Sequence, residues 1–198
     1  MMKKIVFAGA GGQGALLAGK LLASAAMHEG LTLTYFPSYG AEVRGGTSNC
    51  NVVLTDGEEI FSPTVEEADV LVIFNQPSYD RFAPRLTDDG LLFVESSLVD
   101  ASGTDADRVV QVSAADTARE LGVEKAINVV MLGAVNARAE LVRPESLVEA
   151  LRETMTGKKS RFLDVNIRAL QEGYRIVGRT FEPGTTGDCH AAEQMSNK

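Results

Sequence analysis

The 198-residue sequence predicts an α/β domain in three layers, with helices on both faces of a mixed, mainly parallel sheet that also carries an antiparallel hairpin. Three observations lead there. The strand-length segments 4–9 and 69–75 carry continuously apolar centres at 5–8 and 70–74, without the alternation of a half-exposed strand, so they suit strands buried on both faces. Such runs alternate with segments of helical periodicity, the order of strand–helix–strand units. Asp56-Gly57 is a strong turn signal between the strand-like segments 51–55 and 59–62, and predicts the hairpin.

The elements follow in order. The first strand runs into Gly9-Ala10-Gly11-Gly12-Gln13-Gly14 and then a helix over 15–28, with Gly30 at its end. Residues 32–36 read as the next strand. The segment from Pro37 to Ser48 reads as a shaped loop, because Pro37 stiffens its entry and Gly40, Gly45 and Gly46 relax the backbone. Beyond the predicted hairpin, residues 69–75 form a second buried strand ending in Asn75-Gln76-Pro77. A helix over 78–86, a turn at Asp88-Asp89-Gly90, a strand over 91–95 and a last strand over 109–112 come next. A helix over 114–121 closes at Gly122, and residues 127–141 form a helix apolar on nearly every side, which belongs in an interior or an interface. Pro144 opens another helix, and Leu163, Ile167, Leu170, Tyr174 and Val177 stripe the final one. No linker divides the chain. Residues 1–179 are expected to be one domain and 180–198, polar and rich in Gly and Thr, a flexible tail.

Composition narrows the function. A formal net charge of −8 argues against nucleic acid, which needs clustered Lys and Arg. The two cysteines, Cys50 and Cys189, are too few for an iron–sulfur cluster, and Cys50 in an apolar run reads as a packed thiol. With two histidines there is no metal triad, so no metal ligands are assigned to this chain, and no residue is singled out as catalytic. No apolar stretch reaches about 18 residues, and no signal peptide is evident, which predicts a cytoplasmic protein without a membrane contact.

Gly9, Gly11 and Gly14 match G-x-G-x-x-G, a Rossmann-like start that brings a helix N-terminus to a phosphate. The acid that a dinucleotide site wants roughly 20 residues further on is absent, because Thr34, Tyr35 and Phe36 stand there. The loop carries Glu42 and Arg44 two residues apart, a pair suited to a binding or docking surface, with a solvated turn as the alternative. Asn75 lies at a strand's carboxyl end, where open α/β sheets place ligands.

Taken together, Gly9 to Gly14, Pro37-Ser38-Tyr39-Gly40-Ala41-Glu42-Val43-Arg44-Gly45-Gly46 and Asn128-Val129-Val130-Met131-Leu132-Gly133-Ala134 resemble the gamma subunit of 2-oxoacid:ferredoxin oxidoreductases over residues 3–178. The resemblance implies a gamma-type domain in a heteromeric enzyme that oxidatively decarboxylates a 2-oxoacid to an acyl-CoA and passes electrons to ferredoxin. It implies partners: alpha and beta subunits holding thiamine diphosphate with magnesium, and a ferredoxin-like delta subunit holding iron–sulfur clusters. No cofactor would be tightly bound by this chain, which would be inactive alone and would help shape the coenzyme A side of the active site. Gly11, Gly12, Gln13, Ser38, Tyr39, Glu42, Arg44 and Asn75 are the candidate binding residues. The resemblance leans toward 2-oxoglutarate, with pyruvate and branched-chain 2-oxoacids still open. The competing readings are an independent nucleotide-dependent oxidoreductase of Rossmann-like fold and a non-catalytic binding module.

Overall fold

The structure is a computed structural model describing residues 2–39 and 47–181. Six strands, β1 (Met2–Ala10), β2 (Thr32–Tyr39), β3 (Thr47–Thr55), β4 (Ala68–Ile73), β5 (Leu86–Glu95) and β6 (Val109–Val112), form one sheet in the order β2-β3-β1-β4-β5-β6. β1, β4, β5 and β6 are parallel neighbours, while β3 runs antiparallel to both β1 and β2. The helices are α1 (Ala15–His28), α2 (Gln76–Phe82), α3 (Ala114–Glu120), α4 (Ile127–Ala139), α5 (Pro144–Thr154) and α6 (Leu163–Ile176).

β1 is central, as its unbroken apolar run requires. Ile5 and Phe7 point into one core cluster and Val6 and Ala8 into the other, and all four are fully buried. The layers are unequal. α1, α3, α4, α5 and α6 pack on one face. The other is covered by α2 through Tyr79 and Phe82, and by connecting segments that contribute Val65, Val99 and Ala101. Where α4 crosses α6, Gly133 and Gly173 let the two backbones touch; a Cβ on Gly173 would stand 2.7 Å from Ala134 N and 2.9 Å from Gly133 Cα.

Three expectations are corrected. The antiparallel pairing does not span Asp56-Gly57. β3 already has β1 on one side and β2 on the other, so no sheet edge is left for a returning strand, and residues 58–67 cross without strand structure while Ile60 and Val65 pack into the smaller core. The hairpin is formed instead by β2 and β3. Accordingly, Pro37, Ser38 and Tyr39 extend β2, and Thr47 and Ser48 open β3, rather than belonging to a loop. Pro37 is tolerated because β2 is an edge strand, where one missing N–H breaks no ladder on the open side. Asp88-Asp89-Gly90 is not a turn between elements but lies inside β5: register passes from Ala68 opposite Leu86 to Val70 opposite Leu91, leaving a bulge. Arg108 holds it, donating to the carbonyls of Thr87 and Gly90. At the far end Phe181 is still packed, its ring centroid 5.1 Å from that of Tyr174; residues 182–198, most of the expected tail, lie outside the described residues. Among the described residues no helix is long and apolar enough to cross a membrane.

Candidate functional site

β1 and β4 are adjacent and parallel, yet the helices that follow them go to opposite faces, α1 to the larger core and α2 to the smaller. This divide opens at the carboxyl ends of the two strands, the place where α/β sheets bind ligands. The glycine loop sits there. Gly12 (φ 96°) and Gly14 (φ 82°) are left-handed, which explains why glycine occupies both. Gln13 N donates to Ala10 O at 3.2 Å and closes the turn.

Gln13 then stitches the two strand ends together. Its Oε1 accepts from Ala10 N (2.7 Å) and from Asn75 Nδ2 (3.1 Å), and its Nε2 donates to Phe74 O at 3.0 Å. Asn75 Oδ1 accepts from Ser78 N at 2.9 Å and so caps α2. The side chains of Gln13 and Asn75 are therefore taken up in holding the loop against β4. Gly11 and Gly12 are exposed, and a Cβ on either would meet nothing within 4 Å. Among the described residues the N–H groups of Gly11, Gly12 and Gly14 have no acceptor. Together with the first turn of α1 they present a cluster of unpaired donors, a setting that favours an anion.

Ser38 and Tyr39 stand at the same end of the sheet but two strands away: Ser38 opposes Asn49, Tyr39 opposes Ser48, and Ser48 opposes Gly9. Ser48 Oγ donates to Gly9 O at 3.3 Å and links the hairpin to the loop's root. Glu42 and Arg44 lie outside the described residues. The structure thus brings Gly11, Gly12, Gln13 and Asn75 into one place, with Ser38 and Tyr39 flanking it.

Sequence reasoning missed two polar residues at this end. Asn128, in the first turn of α4, is 2% exposed, and its side chain makes no hydrogen bond among the described residues. It lies against Gly14: a Cβ there would stand 2.8 Å from Asn128 Cγ and 2.9 Å from Nδ2. The one available signal was an amide at the start of a helix otherwise apolar all round. Glu95, at the carboxyl end of β5, is fully buried. It accepts from Ser97 Oγ (2.7 Å), Ser97 N (3.1 Å) and Ala115 N (2.9 Å), which caps α3 where Ser113 does not. Its bonds are taken up by Ser97 just after β5 and by the first turn of α3, so it fixes the β5–α3 connection.

Cys50 is the packed thiol expected of its apolar run. Burial pushes it up to about 12 from an ordinary 9.0, which keeps it protonated and poorly nucleophilic.

Residues 4–176 match the family of pyruvate ferredoxin/flavodoxin oxidoreductases. The chain belongs to this family. Ketoisovalerate oxidoreductase subunit VorA of Methanothermobacter thermautotrophicus is 43% identical over 171 residues, which is 86% of this chain but 35% of that protein. 2-Oxoglutarate synthase subunit KorC of Methanocaldococcus jannaschii is 32% identical over 182 residues, 89% of this chain and 95% of its own. The gamma subunit of a keto/oxoacid ferredoxin oxidoreductase from Geobacter sulfurreducens superposes with a TM-score of 0.76 at 31% identity, covering 88% of this chain and 97% of that one. The chain spans about a third of the length of the ketoisovalerate relative, and nearly all of the other two. The mixed α/β fold is the fold of the gamma subunit in this family.

Proposed function

We propose that this chain is the gamma subunit of a cytoplasmic, heteromeric 2-oxoacid:ferredoxin oxidoreductase and forms the coenzyme A side of its active site. The carrying observation is the set of unpaired N–H groups of Gly11, Gly12 and Gly14, held at the β1–β4 divide by Gln13 and Asn75, in a chain that matches the family over residues 4–176. In the overall reaction the 2-oxoacid loses carbon dioxide, two electrons leave for ferredoxin, and the acyl group is taken by the thiol of coenzyme A. Thiamine diphosphate with magnesium supplies the carbanion chemistry when bound, and belongs with the alpha and beta subunits; iron–sulfur clusters belong with the delta subunit. This chain's residues bind and orient. The loop N–H groups and the α1 N-terminus offset phosphate charge, and Arg44 engages a carboxylate or phosphate at the subunit boundary. 2-Oxoglutarate is the proposed substrate, supported by the KorC relative matched over 95% of its length; the ketoisovalerate relative makes a branched-chain 2-oxoacid the second reading.

Sheet order speaks against an independent nicotinamide enzyme. That site places the ribose-binding acid at the end of the strand beside β1 on the helix-crossover side. Here antiparallel β3 stands between β1 and β2, and β2 carries Thr34, Tyr35 and Phe36.

The test is reduction of a viologen dye by the chain alone and by the chain co-purified with its partner subunits, with 2-oxoglutarate, pyruvate and 2-oxoisovalerate. The isolated chain should be silent and the complex active only with coenzyme A, fastest on 2-oxoglutarate. Turnover by the isolated chain overturns the reading. In the same complex Arg44→Ala should weaken assembly by about 2–5 kcal/mol if Arg44 meets a buried charge. A change within about 0.5 kcal/mol returns it to solvent.

A further inference from the structure

Asn128 is a buried amide with nothing to bind. The residue is 2% exposed, its Nδ2 is buried without an acceptor, and its side chain makes no hydrogen bond among the described residues. Buried polar groups are nearly always satisfied, so an orphan of this kind calls for an explanation. Its surroundings supply one. The carboxamide lies against the Cα of Gly14, the residue that opens α1, and any side chain at Gly14 would strike it. Gly14 belongs to the same glycine loop as the unpaired N–H groups of Gly11 and Gly12, which are exposed. Donors from two elements far apart in sequence thus meet at Gly14, and no described acceptor answers them.

We infer that Asn128 is a phosphate-binding residue, its amide joining the N–H groups of Gly11, Gly12 and Gly14 around a phosphate group seated at the N-terminus of α1. The number of donors decides the ligand class. Three loop N–H groups, the first turn of α1 and an amide exceed what the two oxygens of a carboxylate can accept, and suit the three terminal oxygens of a phosphate or the span of a pyrophosphate. The inference rests on the reading of this chain as the coenzyme A side of the enzyme, because coenzyme A is the phosphate-bearing substrate of that reaction. Asn128 is a binding residue here; it takes no part in bond making.

The experiment is calorimetric titration of the full chain, wild type and Asn128→Ala, with inorganic pyrophosphate and separately with coenzyme A. It is paired with thermal unfolding and with NMR of the Asn128 side-chain NH2 and the Gly11, Gly12 and Gly14 amides. Pyrophosphate should shift all four resonances in the wild type. Asn128→Ala should weaken pyrophosphate binding about tenfold, the order expected for a hydrogen bond to a charged group, with the unfolding temperature unchanged or higher. Asn128→Asp should abolish binding by placing like charge at the phosphate. No pyrophosphate binding to the wild type, equal binding to Asn128→Ala, or an unfolding loss in Asn128→Ala without weaker binding would each overturn the inference. Should the Ala variant fail to fold, the wild-type NH2 shift decides alone: no shift on saturation contradicts the contact. Asn128-dependent binding of pyrophosphate without any binding of coenzyme A keeps this inference and removes the coenzyme A reading. Coenzyme A binding that ignores Asn128 does the reverse.

Discussion

Asn128 and Asn136 lie two turns apart on α4, are the same residue type and are each 2% exposed, yet their surroundings differ completely. Asn136 Nδ2 donates to Val142 O (2.8 Å) and to the Tyr174 hydroxyl (2.5 Å), and its Oδ1 accepts from Val142 N at 3.0 Å. Those bonds tie the end of α4 to the connection into α5 and to α6. Asn128 makes none. A buried polar group that is fully paired specifies the fold, whereas one left unpaired costs about 1–3 kcal/mol and must be retained for another reason. The contrast separates one end of α4, where the chain holds itself together, from the other, where it faces the glycine loop.

The largest expected effect erases the contrast from the structural side. Gly173→Ala would drive a methyl into the backbone of α4, push α6 away and carry Tyr174 off Asn136. A stability loss of about 3 kcal/mol in denaturant unfolding is expected, since neither helix backbone can yield cheaply. Asn136→Ala comes next, at about 2–3 kcal/mol, because it strands both backbone groups of Val142 in the interior.

A third prediction sharpens the comparison by loosening α1 rather than the α4–α6 crossing. Cys50 packs beneath Gly19 of α1. Its folded pKa of about 12 lies above the ordinary 9.0, so its contribution is fully present below pH 9.0 and is lost as pH rises toward about 12. The loss should be on the order of 1 kcal/mol per pH unit across that window, and absent in Cys50→Ala, measured as unfolding free energy against pH. Tyr174, also raised by burial, declines with further alkalinity in both proteins and so cancels between them. The smallest effect is Asn128→Ala, within about 0.5 kcal/mol of wild type or slightly stabilising; a loss equal to that of Asn136→Ala would break the comparison outright.

What was readable in the sequence is what neighbours in the chain decide. The strand–glycine–helix start was legible because an apolar run, left-handed glycines and a helical stripe are local features, and α1 occupies the residues its periodicity marks. The buried central strands followed from unbroken apolar runs, and the packed state of Cys50 from the run it sits in. Asp56-Gly57 misled because a turn signal says nothing about whether a sheet edge is free, and β3 had none. Asp88-Asp89-Gly90 misled because Arg108, 18 residues beyond Gly90, turns those residues into a bulge. At the site, Gln13 and Asn75 are legible as candidate binding residues, but the bonds that join their side chains to one another and to backbone cross more than 60 residues of chain and are not legible. Asn128 was invisible as a site residue because whether an amide has a partner is a property of the folded neighbourhood alone.

The central claim is that this chain forms the coenzyme A side of a shared active site. Its most direct test is steady-state kinetics of the assembled complex carrying Asn128→Ala, with coenzyme A and the 2-oxoacid varied separately. A KM for coenzyme A raised about tenfold, with the KM for the 2-oxoacid and kcat near their wild-type values, is the predicted result for a uniform binding contact to one substrate. A raised KM for the 2-oxoacid with that for coenzyme A unchanged would contradict the account.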